Sequence, residues 1–312
     1  MRQAAVMTKM AQLNIPDSVY NWIKCFFEDH YHCTRYAGQC STVSQVKASI
    51  IQGSGMGPAS YIVTAADLQP VTSGNHIFKY ADDTYLVIPA ANSTTAMSEI
   101  LHIEKWAAEN NLKLNCAKSK ELIFIAKSSR ATSTQLPVEC LNIERVTSLR
   151  ILGVIISNRL TATEHVNNLL SSCSSLLYAM RVLRSHGTPV SALHDVFRAT
   201  VVAKIIYCAP AWSGMCTAAD LSRLTSFINR CKRLGFCDTQ LPLVTELFSE
   251  ADDLLFQKTL QNTHHVLQPY LPERSELCYN LRNRTHNKLL INKTSHLNDD
   301  DFIIRMLYKD SY

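Results

Sequence analysis

The sequence predicts an α+β fold, with strands and helices mixed in its first half and helices alone in its second. Two observations carry this. Short β-branched segments around glycine and paired aspartates fill the chain up to Ser157, and unbroken apolar stripes at helical spacing follow it. The expected domains are therefore 1–157 and 158–312. With 312 residues, 46% of them hydrophobic and 18% charged, the chain can bury one large or two modest cores. Nine Gly and ten Pro exclude a collagen-like or low-complexity chain. No apolar run reaches the roughly 18 residues of a membrane-spanning helix, which excludes a spanning protein.

In chain order, residues 14–29 open on Pro16 and place Val19, Trp22, Ile23 and Phe26 on one face, so an amphipathic helix with an aromatic buried side is expected. Thr34–Tyr36 and Val46–Ile51 read as short strands with Gly38 in a turn. A glycine loop, Gly53-Ser-Gly-Met-Gly57-Pro58, then leads into a helix with Ala59, Ile62, Val63 and Ala66 on one face. His76–Pro89 reads as a hairpin carrying Asp82-Asp83 between its strands. A helix over 93–110 turns Met97, Ile100, Ile103, Trp106 and Ala107 inward, and strands are expected at Lys118–Phe124 and Leu149–Ile156, joined through a polar connector, Ser128–Pro137. Beyond 157, Val166, Leu169, Leu170, Cys173, Leu176, Leu177 and Met180 form one long stripe stopped by Gly187. Leu193, Val196, Phe197, Thr200 and Val201 mark a second helix, and Leu221, Leu224 and Ile228 a third.

The net charge of +5 is concentrated rather than spread. Between 181 and 233 lie Arg181, Arg184, Arg198, Lys204, Arg223, Arg230, Lys232 and Arg233 against only Asp195 and Asp220. Such a run is a solvated face unless chemistry elsewhere asks for a polyanion. The eleven cysteines are odd in number, form no CxxC pair and follow no signal peptide. They read as reduced, mostly buried thiols of a cytoplasmic or nuclear protein.

Adjacent carboxylates between apolar strands repel, and half-burying Asp82 and Asp83 against Ile77, Phe78, Leu86 and Val87 is costly unless divalent cations neutralise them. Hard oxygen ligands suit Mg2+, which keeps waters and is completed by substrate phosphates. That points to phosphoryl transfer of the two-metal kind. Two other acidic runs, Asp252-Asp253 and Asn298–Asp301, sit at expected helix starts, where the helix dipole explains them. The glycine loop can bring backbone N–H groups close to phosphates or bases, or can be a tight turn; its spacing is not that of a dinucleotide fold. Lys118 or Lys120 can protonate departing pyrophosphate, or be an ordinary surface lysine. Gly153 allows close backbone approach, or marks a bulge.

Tyr80-Ala81-Asp82-Asp83 with these flanks resembles the catalytic box of reverse transcriptases, in particular those of non-LTR (LINE-type) retrotransposons. Gln52-Gly53-Ser54-Gly55-Met56-Gly57-Pro58 resembles the family's QG-x-x-x-GP box, which holds template and incoming nucleotide. Leu114-Asn115-x-x-Lys118-Ser119-Lys120 resembles its lysine box, and Leu152-Gly153-Val154 its LG[VI] primer grip. The resemblance covers about residues 10–157 in matching order. It implies an incomplete polymerase palm, a ferredoxin-like split βαβ lacking its first strand, followed by an all-α thumb-like domain. It further implies an RNA template, a DNA primer, deoxynucleoside triphosphates and two Mg2+ ions at Asp82 and Asp83. Arg181, Arg184, Arg198, Lys204, Arg230, Lys232 and Arg233 would then track the duplex backbone.

One family element is not matched. A further metal-binding Asp belongs on a strand about a dozen residues ahead of a segment like Gln12–Pro16, where this chain has Met1. Asp17, Glu28 and Asp29 lie in or at the end of the first helix and do not replace it. The expectation is an N-terminally truncated palm and thumb, inactive by itself, with an open edge on the Asp82-Asp83 hairpin. The alternative is a non-catalytic nucleic-acid-binding remnant of such an element.

Overall fold

A computed structural model describes residues 3–28, 30–46, 53–125, 136–140, 142–274 and 286–309. Its contacts divide the chain into two units, 1–121 with 131–145 and 122–130 with 146–312. The contact boundary therefore does not coincide with the change of period at 158, because the strands at 148–157 group with the helices that follow them.

The first unit begins with helices α1 (Gln3–Met10) and α2 (Asp17–Phe27). Their apolar cluster is small, with Val6, Met10, Ile23 and Phe27 at its centre. The face expected on α2 is rotated: Ile23 and Phe27 are buried, while Val19 and Trp22 are 44% and 58% exposed. Trp22 stacks on Phe26 instead, with ring centroids 5.9 Å apart.

A ribbon follows, in which β1 (Tyr31–His32) pairs with β4 (Ser44–Gln45) and β2 (Arg35–Tyr36) with β3 (Gln39–Cys40). Ala37 and Gly38 make its turn, both at positive φ, as a tight hairpin turn requires. The strand expected over Val46–Ile51 falls, apart from Val46, outside the described residues, as do Gln52 and most of the Ser128–Pro137 connector.

Helix α3 (Met56–Ala65) buries Ser60, Thr64 and Ala65, not the Ile62 face expected of it, and Ile62 is 66% exposed. Small residues suit this position because α3 packs closely on α1. Strands β5 (His76–Tyr80) and β6 (Asp83–Val87) form the expected hairpin, and α4 (Ala96–Glu109) follows a turn of 3-10 helix. On α4 only Glu99 and Ala107 are buried, the carboxylate having been missed because acidic residues are normally outside. Strand β7 (Lys120–Leu122) pairs with β8 (Glu144–Val146).

In the second unit Leu149–Ile156 is not one strand but two, β9 (Ser148–Ile151) and β10 (Val154–Ser157), turning at Leu152-Gly153. The helices follow as α5 (Thr163–Ser185), α6 (Val190–Phe197), a π-helical turn at Arg198–Val202, α7 (Ala203–Ile206), α8 (Ala209–Trp212), α9 (Ala218–Arg233) and α10 (Val244–Gln261). The α5 stripe is as expected, with Val166, Leu169, Cys173, Leu177 and Met180 buried. They join Leu193, Phe197, Trp212, Leu224, Ile228 and Phe248 in one apolar core. Helices α11 (Leu297–Asp300) and α12 (Phe302–Tyr308) end the unit.

Two acidic runs are structural, though not both as expected. Asp301 caps α12 by accepting from the Ile304 N–H at 2.9 Å. Asp252 and Asp253 lie inside α10 rather than at its start, paired at 2.6 Å with Arg305 and Lys309. The described cysteines are free, but only Cys140, Cys173, Cys231 and Cys237 of them are buried, so "mostly buried" does not hold for those described.

Candidate active site

The carboxylate pair stands where β5 turns into β6. Tyr80 and Asp83 are the last paired residues, so Ala81 and Asp82 form a two-residue turn with Ala81 at φ 51°. That conformation strains any residue with a Cβ, and such strain is typical of functional turns. Ile77 and Leu86 face each other on the packed side together with Lys79, while Phe78, Tyr80 and Asp83 share the other. The expected half-burial of the pair does not occur: Asp82 and Asp83 are exposed, and Phe78 and Val87 remain 47% and 45% exposed. A two-stranded ribbon has two faces, and only one of these packs. Among the described residues no third strand joins the hairpin.

Lys79 fixes the hairpin to α3 by donating to the carbonyl oxygens of Ala65 at 2.6 Å and Leu68 at 2.9 Å. Burial, opposed by the charge of Asp67, holds its ammonium below the usual lysine range. Lys9 from α1 reaches the same helix end, donating to the Thr64 carbonyl at 2.6 Å, to Asp67 at 2.8 Å and to Asn110 at 3.1 Å. The Trp106 indole also donates to Asp67, at 3.0 Å. Two cations thus satisfy the carbonyls left open at the C-terminus of α3, where the helix dipole favours them. Ahead of β5 in the chain, the buried Glu99 carboxylate accepts from the N–H groups of Val71 and Thr72 at 3.1 and 2.8 Å and from Asn75 at 2.9 Å. Burial would raise its pKa, but these donors together hold it below the usual carboxylate range.

Helix α3 also carries Tyr61, a residue the sequence did not single out. It is half-buried, and burial first, then the charges of Asp82 and Asp83, push its hydroxyl above the usual range. The charges of the aspartate pair therefore act on the helix that the glycine box opens. Within the box Gly53 is at φ 85° and Gly55 caps α3, and a Cβ on either would meet nothing within 4 Å. Ser54 Oγ accepts from the Met56 N–H at 3.2 Å. Gly57 and Pro58 lie in the first helical turn, where proline is tolerated. Tyr80 and Ala81 belong to the hairpin tip itself, and Gln52 lies outside the described residues.

Of the two candidate lysines, Lys120 is engaged by Glu144, while Lys118 sits exposed in the preceding turn. In the second unit Leu152 and Gly153 form the β9–β10 turn at φ 45° and 89°, and Val154 is buried. Arg181, Arg198, Lys204, Arg223, Arg230 and Arg233 are exposed. Arg184, though also exposed, and the half-buried Lys232 are held by the chain itself: Arg184 donates to the Leu234 carbonyl at 2.7 Å and lies over the Phe236 ring, and Lys232 donates to the Leu241 carbonyl at 2.6 Å. Asp17 is in the first turn of α2, and Glu28 ends that helix, 3.9 Å from Lys24. Among the described residues no group of three His, Cys, Asp or Glu side chains is placed to hold a metal. Two hard carboxylates remain, a donor set that fits Mg2+ when waters and phosphate oxygens complete it.

The hairpin tip thus carries paired aspartates, and Lys79 ties that hairpin to the helix opened by the glycine box. Residues 2–156 match the family of reverse transcriptases (RNA-dependent DNA polymerases), and over those residues the chain belongs to it. The RNA-directed DNA polymerase from mobile element jockey of Drosophila melanogaster is 26% identical over 165 residues, 49% of this chain and 18% of that protein. Two probable RNA-directed DNA polymerases of the same species are each 24% identical. That of transposon X-element matches 70% of this chain and 25% of its own length. That of transposon BS matches 73% and 26%. These relatives place the chain with LINE-type, non-LTR retrotransposons. The chain spans about a quarter or less of the length of these relatives.

Proposed function

We propose that the chain supplies palm and thumb regions, 1–157 and 158–312, of an RNA-directed DNA polymerase that extends a DNA primer on an RNA template. The observation that carries this reading is the exposed Asp82-Asp83 turn at the tip of a hairpin that Lys79 bonds to the end of the glycine-box helix. Asp82 and Asp83 are the residues that would hold Mg2+, which when bound supplies Lewis-acid stabilisation of the attacking and leaving oxygens. Open space at Gly53 and Gly55 leaves room at the start of α3 for a nucleotide or template base, which Gly53, Ser54, Gly57 and Pro58 would hold. Lys118, exposed and among the described residues in no ion pair, whereas Lys120 is paired with Glu144, is the better placed to give a proton to pyrophosphate. The Leu152-Gly153-Val154 turn is the primer grip, and the exposed Arg181, Arg198, Lys204, Arg230 and Arg233 contact phosphates, giving salt-dependent binding.

A second reading, binding without catalysis, is favoured by one observation: the described residues bring no third metal-ligating side chain to the aspartate pair. A metal site short of a ligand loses affinity and positions the attacking hydroxyl poorly. Primer extension on an RNA template with magnesium, run on this chain and on one extended upstream, separates the two. Extension by the longer chain alone, lost in Asp82→Asn, is the expected result. Extension by this chain, also lost in Asp82→Asn, would sink the remnant reading. Binding indifferent to salt would sink both.

A further inference from the structure

The β9–β10 turn is held in an unusual way. Leu152 is in the left-handed region, which costs a residue with a Cβ about 1–2 kcal/mol and persists only where surroundings impose it. One side chain contributes to those surroundings twice. The Tyr207 hydroxyl donates to the Leu152 carbonyl at 3.1 Å, and its ring closes over Gly153, where a Cβ would lie 3.2 Å from Cε1. Gly153 is thus required twice, by its own φ of 89° and by the ring above it.

Tyr207 is itself placed by irregular backbone. It follows the π-helical turn at Arg198–Val202 and precedes Cys208 at φ 51°, a break that turns the tyrosine out of the helical run. Its carbonyl accepts from the Trp212 indole at 3.0 Å. Trp212 is 1% exposed and packs edge-on to His165, with ring centroids 4.7 Å apart. Closing the circuit, His165 Nδ1 accepts from the Ile155 N–H of β10 at 3.3 Å. Burial, then the charge of Arg150, keeps that imidazole below its usual pKa and therefore neutral, as an acceptor must be. The hairpin is consequently fastened at its turn by Tyr207 and along its second strand by His165, through one tryptophan in the core.

We propose that Tyr207 is a positioning residue for the primer terminus, acting by fixing the Leu152-Gly153 turn through this Tyr207–Trp212–His165 circuit. This rests on reading the turn as the primer grip. The test uses the whole chain and an RNA template annealed to a DNA primer carrying a fluorescent adenine analogue at its 3′-terminal nucleotide. A second duplex carries the analogue at an internal position. Tyr207→Phe keeps the ring over Gly153 and removes the hydrogen bond; Tyr207→Ala removes both. Amide exchange at Gly153 and Val154 is expected to quicken by about three- to tenfold in Tyr207→Phe, the range one lost hydrogen bond supports, and further in Tyr207→Ala. The terminal probe is expected to brighten in the same order, with the internal probe unmoved.

Tyr207→Phe is mild enough to keep the fold, so a failure of Tyr207→Ala to fold leaves the comparison intact. An unmoved terminal probe, or equal changes at both probes, overturns the proposal while the polymerase reading stands. A wild-type chain that binds neither duplex overturns the polymerase reading, and the primer role with it.

Discussion

The two units are held together by different physics. In the first unit polar contacts stand out: Lys79 and Lys9 on the end of α3, and a buried Glu99 on the loop before β5. Among the described residues, the buried centre of the α1–α2 apolar cluster is Val6, Met10, Ile23 and Phe27. The helical unit rests instead on a continuous apolar core from Val154 through Val166, Phe197 and Trp212 to Phe248. The difference teaches where each function can be placed. Apolar packing gives a large, non-directional gain that tolerates exposed basic side chains on its outside. A strained turn carrying two like charges needs directional bonds, because position matters there more than stability.

The comparison is broken most easily in the helical core. Phe197→Ala removes a fully buried ring and is expected to cost about 3–5 kcal/mol in urea unfolding, without shifting the hairpin. A loss under about 1 kcal/mol would mean that this core does not carry the unit.

Glu99→Gln probes the polar side. An amide nitrogen now meets one of the three donors, at an expected cost of about 1–3 kcal/mol, with faster amide exchange at Val71 and Thr72. The same carboxylate predicts a pH dependence. Its folded pKa is depressed, so its contribution is complete above the unfolded value of about 4.3 and is lost as pH falls through the folded value. Glu99→Gln should remove that acid slope; an unchanged slope would falsify the assignment.

The smallest effect is expected at the site itself. Asp82→Asn and Asp83→Asn alter exposed side chains and should move the unfolding free energy by no more than about 0.5 kcal/mol, even though extension by the longer chain is abolished. A large loss of stability would make the pair structural.

Much of this was legible in residue order. The hairpin at 76–89 follows from β-formers around turn residues, and the helical stripe through Val166, Leu169, Cys173 and Leu177 from a single period. The family follows from four boxes in sequence. The faces of α2 and α3 were misjudged because periodicity shows that a stripe exists, not which neighbours exist to cover it. Leu149–Ile156 read as one strand because an apolar run gives no sign of a turn that only a close tertiary contact stabilises.

Residue order alone therefore determined the chemistry available: paired carboxylates on a turn, a glycine loop before a helix, a basic helical half. The tertiary structure decided which groups meet. Lys9 reaches Asp67, Lys79 reaches the end of α3, and Tyr207 closes over Gly153 from 54 residues away in the chain, a separation given by 207 − 153. Local propensity acts over a turn or two of backbone, whereas hydrogen bonds across such distances exist only once packing has brought their partners together.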